Sequence, residues 1–193
     1  MVAACAMTLS PSPICLAMSR ISVGLVVALV VIDAACAGRT PATRLDPVSE
    51  LTAGFDASVR RDVETLRAAT ERYRDLAEAQ RAGYPTTMPK CIADSTMGGM
   101  GHHFIDRNLF DDKLEIARPE MLIYAPAGDG KLELVAVEYA IPFRLLPATE
   151  TPPRLFGQEL KPYSQFNYWA IHVWAWRRNA AGLFADWNPT VKC

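Results

Sequence analysis

The amino-acid sequence predicts an α+β fold, with one long N-terminal helix packed on a small antiparallel sheet of three to five strands and with long loops. Three observations lead to this prediction. Apolar side chains at helical spacing begin near residue 56, runs of aliphatic and aromatic residues follow residue 119, and segments rich in proline or glycine separate these elements. A chain of 193 residues, 50% of them hydrophobic, is long enough for one core, so we expect a single domain over residues 56–193.

The first 37 residues have the layout of a secretory signal peptide. The basic residue Arg20 precedes an apolar run at residues 21–32, and the small residues Ala-Ala-Cys-Ala follow at positions 34–37. This run is short for a transmembrane helix, which needs about 20 apolar residues. We therefore expect cleavage after Ala37 and export to the periplasm or the medium.

Two alternatives stay open in this segment. Met18 stands just before the basic residue and is a second candidate for the start of the signal peptide. Cys36 follows two alanines, as in a lipoprotein signal, although Asp33 stands where an aliphatic residue is expected. A lipid on Cys36, or an uncleaved N-terminal segment, is the only attachment to a membrane that the sequence suggests.

The predicted helix follows a short polar segment. Residues 38–55 mix proline, glycine and polar side chains, which is typical of a flexible tether. Asp56 or Ser58 can cap the start of the helix, and Gly83 followed by Pro85 can end it. Its buried stripe is expected to consist of Val59, Val63, Leu66, Thr70, Tyr73 and Ala77.

The rest of the chain alternates between expected loops and strands. Residues 85–118 show no sustained periodicity and predict a long loop. Two strand-like runs, at residues 120–125 and 132–141, are separated by a turn that contains Asp-Gly, so we expect a hairpin. A proline-rich crossing at residues 142–166 leads to a third strand at residues 167–176.

Charge and cysteine content narrow the functional classes. The 20 basic and 21 acidic residues nearly balance, which disfavours nucleic acid as a partner. After the expected cleavage only Cys91 and Cys193 remain, and an isolated pair in an oxidising compartment predicts a disulfide. Closing so long a loop stabilises the fold by about 4 to 5 kcal/mol in the chain-entropy model.

The three histidines occur in two settings that predict a metal site. His102 and His103 end a segment rich in glycine and methionine, and His172 lies in an aromatic strand. Glu138 is an acid in an apolar row of the second strand, where a carboxylate is costly unless it is paired or coordinates an ion. We expect His103 and His172 as principal ligands, with His102, Met100 and Glu138 as secondary ones. Copper is narrowly favoured over zinc because a thioether suits copper.

Other interpretations of the same residues stay open. Methionines fill gaps in cores and glycines allow tight turns, so each residue also has a purely structural explanation. A second hypothesis is a binding module in which Tyr168, Trp174 and Trp176 line a pocket for a small apolar ligand. A third is an envelope scaffold without a small-molecule site. The sequence contains no H-E-x-x-H, C-x-x-C or G-x-S-x-G motif, so it indicates none of the enzyme classes that these motifs mark. Whether the protein is an enzyme stays open.

Four stretches together resemble a group of exported bacterial proteins. They are MGGMGHHF from Met97, LVAVEYAIP from Leu134, IHVWAW from Ile171 and FADWNP from Phe184. The resemblance covers residues from about 85 to the C-terminus. It implies export and a bacterial source, and it assigns neither an activity nor a site residue.

Overall fold

The structure is a computed structural model that describes residues 47–85 and 90–193. The expected signal peptide, its cleavage site and the candidate lipid site at Cys36 lie outside the described residues. So do residues 38–46 of the expected tether. In the part of the chain that the structure describes, no helix has the length and apolar content needed to cross a bilayer.

Short helices occupy the start of the described chain. Their bounds are α1 Pro47–Leu51, α2 Ala57–Thr70, a turn of 3₁₀ helix Glu71–Arg74, and α3 Leu76–Arg81. Helix α1 falls within the segment expected to be a tether, and its Val48 and Leu51 pack against the main core. Asp75 interrupts the predicted long helix, because its backbone is extended and its side chain accepts a hydrogen bond from the Ala77 N–H at 2.8 Å. An aspartate in this role starts a new helix.

The interruption also changes which side chains are buried. Val59, Val63 and Leu66 of α2 are buried as the helical spacing predicts, and they contact the sheet. Beyond the break the stripe shifts, so that Ala79 is buried while Ala77 is exposed.

The main element is a six-stranded antiparallel sheet in the order β1-β2-β3-β4-β8-β7, with β5 and β6 forming a separate hairpin. The strands are β1 Ile92–Asp94, β2 Gly98–Ile105, β3 Met121–Pro126, β4 Leu132–Pro142, β5 Arg154–Leu155, β6 Gln158–Glu159, β7 Lys161–Tyr163 and β8 Tyr168–Val173. The predicted hairpin is β3 and β4, and the predicted third strand is β8, which ends three residues earlier than expected.

The predicted fold class is therefore wrong. The molecule is mostly a curled six-stranded antiparallel sheet with only short helices, instead of one long helix on a small sheet. The largest error lies in residues 85–118, which were expected to form a loop and which contain β1 and β2. Strand β2 lacks the alternation of apolar and polar residues that is typical of a strand, because three of its first four residues are glycines.

Close packing explains two of these glycines. The C-terminal segment crosses β2, where the Gly99 N–H donates to the Asn188 carbonyl at 3.1 Å and the Asn188 N–H donates to the Gly99 carbonyl at 3.0 Å. A Cβ atom at Gly99 would lie 2.6 Å from Cγ1 of Val191. At Gly101, where φ is +108°, a Cβ atom would lie 2.6 Å from the Tyr124 carbonyl oxygen. Larger residues at either position would push the neighbouring chain away.

The two faces of the sheet carry different cores. The face toward α2 holds the largest apolar cluster, including Phe104, Tyr124 and Tyr139. The opposite face carries two smaller clusters and is partly covered by the C-terminal segment through Trp187 and Val191.

The predicted disulfide between Cys91 and Cys193 is confirmed, with an S–S distance of 2.02 Å. It ties the end of the chain to the residue that precedes β1.

Candidate metal centre

Three polar side chains meet on the face of the sheet that points away from α2. Glu138 of β4 and His172 of β8 are directly opposite each other in the strand pairing. On its other side Glu138 is paired with Met121 of β3, which is paired in turn with Ile105 of β2. His103 lies two residues before Ile105 in β2, and residues two apart in a strand share a face, so His103 belongs to the same face.

Curling of the sheet brings the two histidines together. Strands β2 and β8 are separated by β3 and β4. In a flat sheet, with about 4.8 Å between neighbouring strands, they would be about 14 Å apart. The ring centroids of His103 and His172 are 5.8 Å apart. Their side chains therefore converge on the concave side, above Glu138.

The spacing of the ligand atoms matches that around a single ion. Oε2 of Glu138 lies 3.4 Å from Nε2 of His103 and 3.8 Å from Nε2 of His172. One nitrogen or oxygen from each residue lies within 4.8 Å of the others. Two ligands bound at about 2.0–2.1 Å in tetrahedral geometry are about 3.4 Å apart. His103, Glu138 and His172 thus form a buried group that could hold a metal ion.

This group is buried, and several of its polar atoms have no hydrogen-bond partner among the described residues. His103 is 2% exposed, and Glu138 and His172 are each 1% exposed. Oε2 of Glu138 and both ring nitrogens of His172 make no hydrogen bond to any residue that the structure describes. Nδ1 of His103 likewise has no partner among the described residues. A buried polar atom without a partner costs about 1–3 kcal/mol, so four of them in one cluster are unfavourable unless something binds there.

Burial also decides the protonation states. It raises the pKa of the Glu138 carboxyl to about 8, and the nearby Asp186 carboxylate adds to the effect. It lowers the pKa of His103 to about 3, with the neighbouring His172 contributing. Burial likewise lowers the pKa of His172 to about 4, although Asp186 opposes this shift. Near pH 7 and without an ion, the cluster is one protonated carboxyl beside two neutral imidazoles, whose free nitrogens are the form that binds metals.

The surroundings of the centre combine apolar packing with one ion pair. Tyr163 packs near His172, with ring centroids 6.2 Å apart. Nζ of Lys161 lies 2.7 Å from Oδ1 of Asp186, and both side chains are partly exposed. Both residues influence the pKa of His172, Asp186 raising it and Lys161 lowering it, so the pair lies near the centre.

The structure separates the secondary ligands that the sequence suggested. Only Glu138 joins the two principal histidines in the group. His102 is paired with Tyr124 in the strand register and lies on the opposite face from His103. Met100 is the extra residue of a bulge between Ile92 and Ala93 of β1 and Gly99 and Gly101 of β2, and its side chain is buried in the apolar cluster beside Met121.

The three aromatic residues expected to line one pocket lie in three environments. Tyr168 lines a cleft of about 400 Å³. Trp174 is fully buried and donates from Nε1 to the Ala185 carbonyl at 2.6 Å. Trp176 packs against the main core on the side of α2, where its Nε1 donates to Oγ1 of Thr70 at 3.1 Å. The prediction placed all three side chains on one face because residues two apart in a strand share a face. Strand β8 ends at Val173, so this rule does not apply to Trp174 and Trp176.

Sequence reasoning missed a second buried acid. Glu120 is 1% exposed, and its Oε2 accepts a hydrogen bond from the Ala140 N–H at 3.1 Å. Burial raises the pKa of this carboxyl to about 8. Its position just before β3 could have identified it as an acid next to a buried strand. This hydrogen bond links the residue before β3 to β4.

Comparison of the chain with protein-family models, with curated proteins and with solved structures finds no match.

Proposed function

We propose that this protein binds a divalent transition-metal ion through His103, Glu138 and His172, and that the ion is zinc. The observation that carries the proposal is the set of buried ring nitrogens and one carboxylate oxygen, close together and without hydrogen bonds among the described residues. An ion at this point would take one nitrogen from each imidazole and one carboxylate oxygen, so it would satisfy Oε2 of Glu138 and one of the two free ring nitrogens of His172. Binding would displace the proton that the Glu138 carboxyl holds near pH 7.

The ligand types favour zinc over copper(I). Two imidazoles and one carboxylate form a set that zinc uses with a fourth position left for water or substrate. Copper(I) prefers thioether and thiolate sulfur, and the carboxylate at the centre of this group is a hard oxygen ligand. Met100 is the residue that made copper attractive from the sequence, and it lies in the adjacent apolar cluster.

Metal content measured on the mature chain, purified without a histidine tag, tests the proposal. Protein dialysed against zinc and then against buffer should retain about one zinc per chain by mass spectrometry. The changes His103→Gln and His172→Gln should each abolish retention. His102→Gln is the matched control, because His102 is a neighbour in sequence but lies on the other face of the sheet.

Two results would overturn the proposal. Equal loss of zinc in the His102 and His103 variants would show that binding is not at this centre. Wild-type protein that retains no ion would remove the function itself. Tighter binding of copper(I) than of zinc would overturn the assignment of the metal alone. Circular dichroism of each variant in EDTA establishes that the fold is kept.

We further propose that the protein is exported. The layout of residues 1–37 supports export, and the disulfide between Cys91 and Cys193 is compatible with an oxidising compartment. Fractionation into cytosol, envelope and medium, with mass analysis of the N-terminus, tests this: we expect exported protein cleaved after Ala37. A lipid-modified Cys36 would change the cleavage site and leave export in place, whereas cytosolic protein with a retained N-terminal segment would contradict export.

A further inference from the structure

A second feature of the structure is found where β2 and β4 end and where β8 begins. It is a cleft of about 400 Å³ between the end of β2, the 3₁₀ turn Arg107–Leu109, the end of β4 and the turn before β8. This volume lies within the range of about 300–1,000 Å³ that is typical of small-molecule sites. The walls are largely apolar, and two arginines stand at the rim.

The charged residues that line the cleft are both basic. Arg107 and Arg144 both line it, and none of its lining residues is acidic. Within residues 47–85 and 90–193, neither arginine forms an ion pair with a carboxylate, whereas Arg154 and Arg177 do. The chain as a whole carries a formal net charge of -1, so this local positive charge is not a general property of the surface.

One of the two guanidinium groups is held in place. Nη2 of Arg144 donates to the Phe110 carbonyl at 3.0 Å, which links the loop after β4 to the loop after β2. A guanidinium has five N–H donors in a planar fork, so the remaining donors are available to an anion.

Aromatic rings provide the walls. The Tyr168 ring stacks on Phe166, with centroids 5.7 Å apart and an interplanar angle of 16°. Phe110 meets the Tyr168 ring edge-on at 6.2 Å. Phe166 is 41% exposed, which leaves its ring open to contact.

We propose that this cleft binds a small carboxylate that carries an aromatic or branched apolar body. The carboxylate would pair with the guanidinium groups of Arg107 and Arg144, and the body would lie against the Phe110, Phe166 and Tyr168 rings. Arginine forks match the planar, two-oxygen geometry of a carboxylate. The apolar walls then select for the body attached to it.

The cleft is separate from the metal centre. Ile105 lines the cleft and lies two residues after His103 in β2, and Tyr168 lies four residues before His172 in β8. At about 3.3 Å per residue, the two sites are about 7–13 Å apart along the strands. Binding in the cleft can therefore be tested in metal-free protein, independently of the proposed zinc site.

Calorimetric titration of the full chain in EDTA with phenylacetate tests the proposal. Phenylacetamide keeps the ring and removes the charge, and acetate keeps the charge and removes the ring. We expect both to bind at least about 10-fold more weakly than phenylacetate. Arg107→Gln and Arg144→Gln should each weaken phenylacetate binding about 10-fold, as expected for the loss of a charged hydrogen bond. Arg154→Gln, which makes the same change in charge outside the cleft, should leave it unchanged.

Several outcomes would overturn the proposal. These are no measurable binding of phenylacetate, equal binding of phenylacetamide, or unchanged affinity in both cleft variants. Inorganic phosphate that competes as well as phenylacetate would show a general anion site instead. Among the described residues, the Arg107 side chain forms no hydrogen bond, whereas Arg144 bonds to the Phe110 carbonyl. The Arg107 variant therefore separates loss of the ligand contact from distortion of the cleft.

Discussion

Replacing Glu138 with glutamine should affect the metal-bound protein far more than the metal-free protein. The Glu138 side chain is 1% exposed, and burial raises its pKa to about 8, so near pH 7 the metal-free protein holds a neutral carboxyl. Glutamine has almost the same shape and is also neutral. We expect the free energy of unfolding in EDTA to change by less than about 1 kcal/mol, because one neutral polar group replaces another.

The zinc-bound protein loses a negative ligand. Removing a group that only supports a ligand typically costs 10–100-fold in metal affinity, so removing the ligand itself should cost at least about 100-fold. If zinc is present at about 100 times its dissociation constant for the wild type, it stabilises the fold by about 2.7 kcal/mol. That stabilisation should fall to about 0.4 kcal/mol in Glu138→Gln, where the same zinc concentration only matches the dissociation constant.

Urea denaturation of both proteins, with EDTA and with buffered zinc, measures this difference. Glu120→Gln is the matched control, because Glu120 is equally buried and its pKa is also raised to about 8, yet it bonds to the Ala140 N–H outside the centre. The control should keep the full stabilisation by zinc. The reasoning is refuted if Glu138→Gln keeps it too, or if this variant destabilises the metal-free protein by several kcal/mol.

Three further predictions concern the fold. Cys193→Ser opens a loop with a sequence separation of 102 and should lower the free energy of unfolding by about 4–5 kcal/mol in urea titrations; a loss below about 1 kcal/mol would contradict it. In EDTA, Glu120 should contribute a fall in stability of about 1 kcal/mol per unit as pH rises from 4.5 to 8, since its pKa is raised from 4.5 to about 8 and the folded state keeps a proton that the unfolded state has lost. Glu138 contributes in the same sense, and His103 and His172, whose pKa values are lowered from 6.5, contribute in the opposite sense below about pH 6.5, so the test is the difference between the wild type and Glu120→Gln. Identical pH profiles of the two proteins would remove the assignment. Gly101→Ala should cost at least about 1–3 kcal/mol, whereas Gly128→Ala, where a Cβ meets nothing within 4 Å, should cost little; equal thermal shifts would argue against the close contact.

Alternation along single strands was the most informative pattern in the sequence. It placed Glu138 in an apolar row and His172 on one face of its strand, and both placements agree with the strand register. Choosing Cys91 and Cys193 as a pair required only the expected loss of the presequence. Each of these predictions depends on residues within one element or on simple elimination, so the order of the strands was not needed.

Errors arose where contacts distant in sequence decide the local structure. The glycines of β2 leave room for Asn188 and Val191 of the C-terminal segment. These residues are distant in sequence, so the spacing of apolar residues in β2 gives no sign of the contact. The helix breaks at Asp75, although the apolar spacing continues through it, because the side chain bonds to the Ala77 N–H. In the sequence, an aspartate at that position is equally consistent with one more charged residue on the exposed face of a continuous helix.

The proximity of His103 to His172 could not come from either strand alone. It needs the order β2-β3-β4-β8, which the long crossing between β4 and β8 conceals, and it needs the sheet to curl. Sequence reasoning could therefore name the principal residues and could not establish that they meet. His102 shows the limit most clearly, because one residue of register separates it from His103 and puts it on the opposite face.

The C-terminal segment links the same two strands that an ion would link. It leaves β8 after Val173, bonds to Trp174 through the Ala185 carbonyl, crosses β2 at Gly99 and ends in the disulfide next to β1. Covalent and hydrogen-bonded closure thus holds β2 and β8 in the curled arrangement before any ion binds. Preorganisation of this kind lowers the entropy cost of bringing distant ligands together. It also explains how a protein can keep three buried polar groups in contact that would otherwise separate.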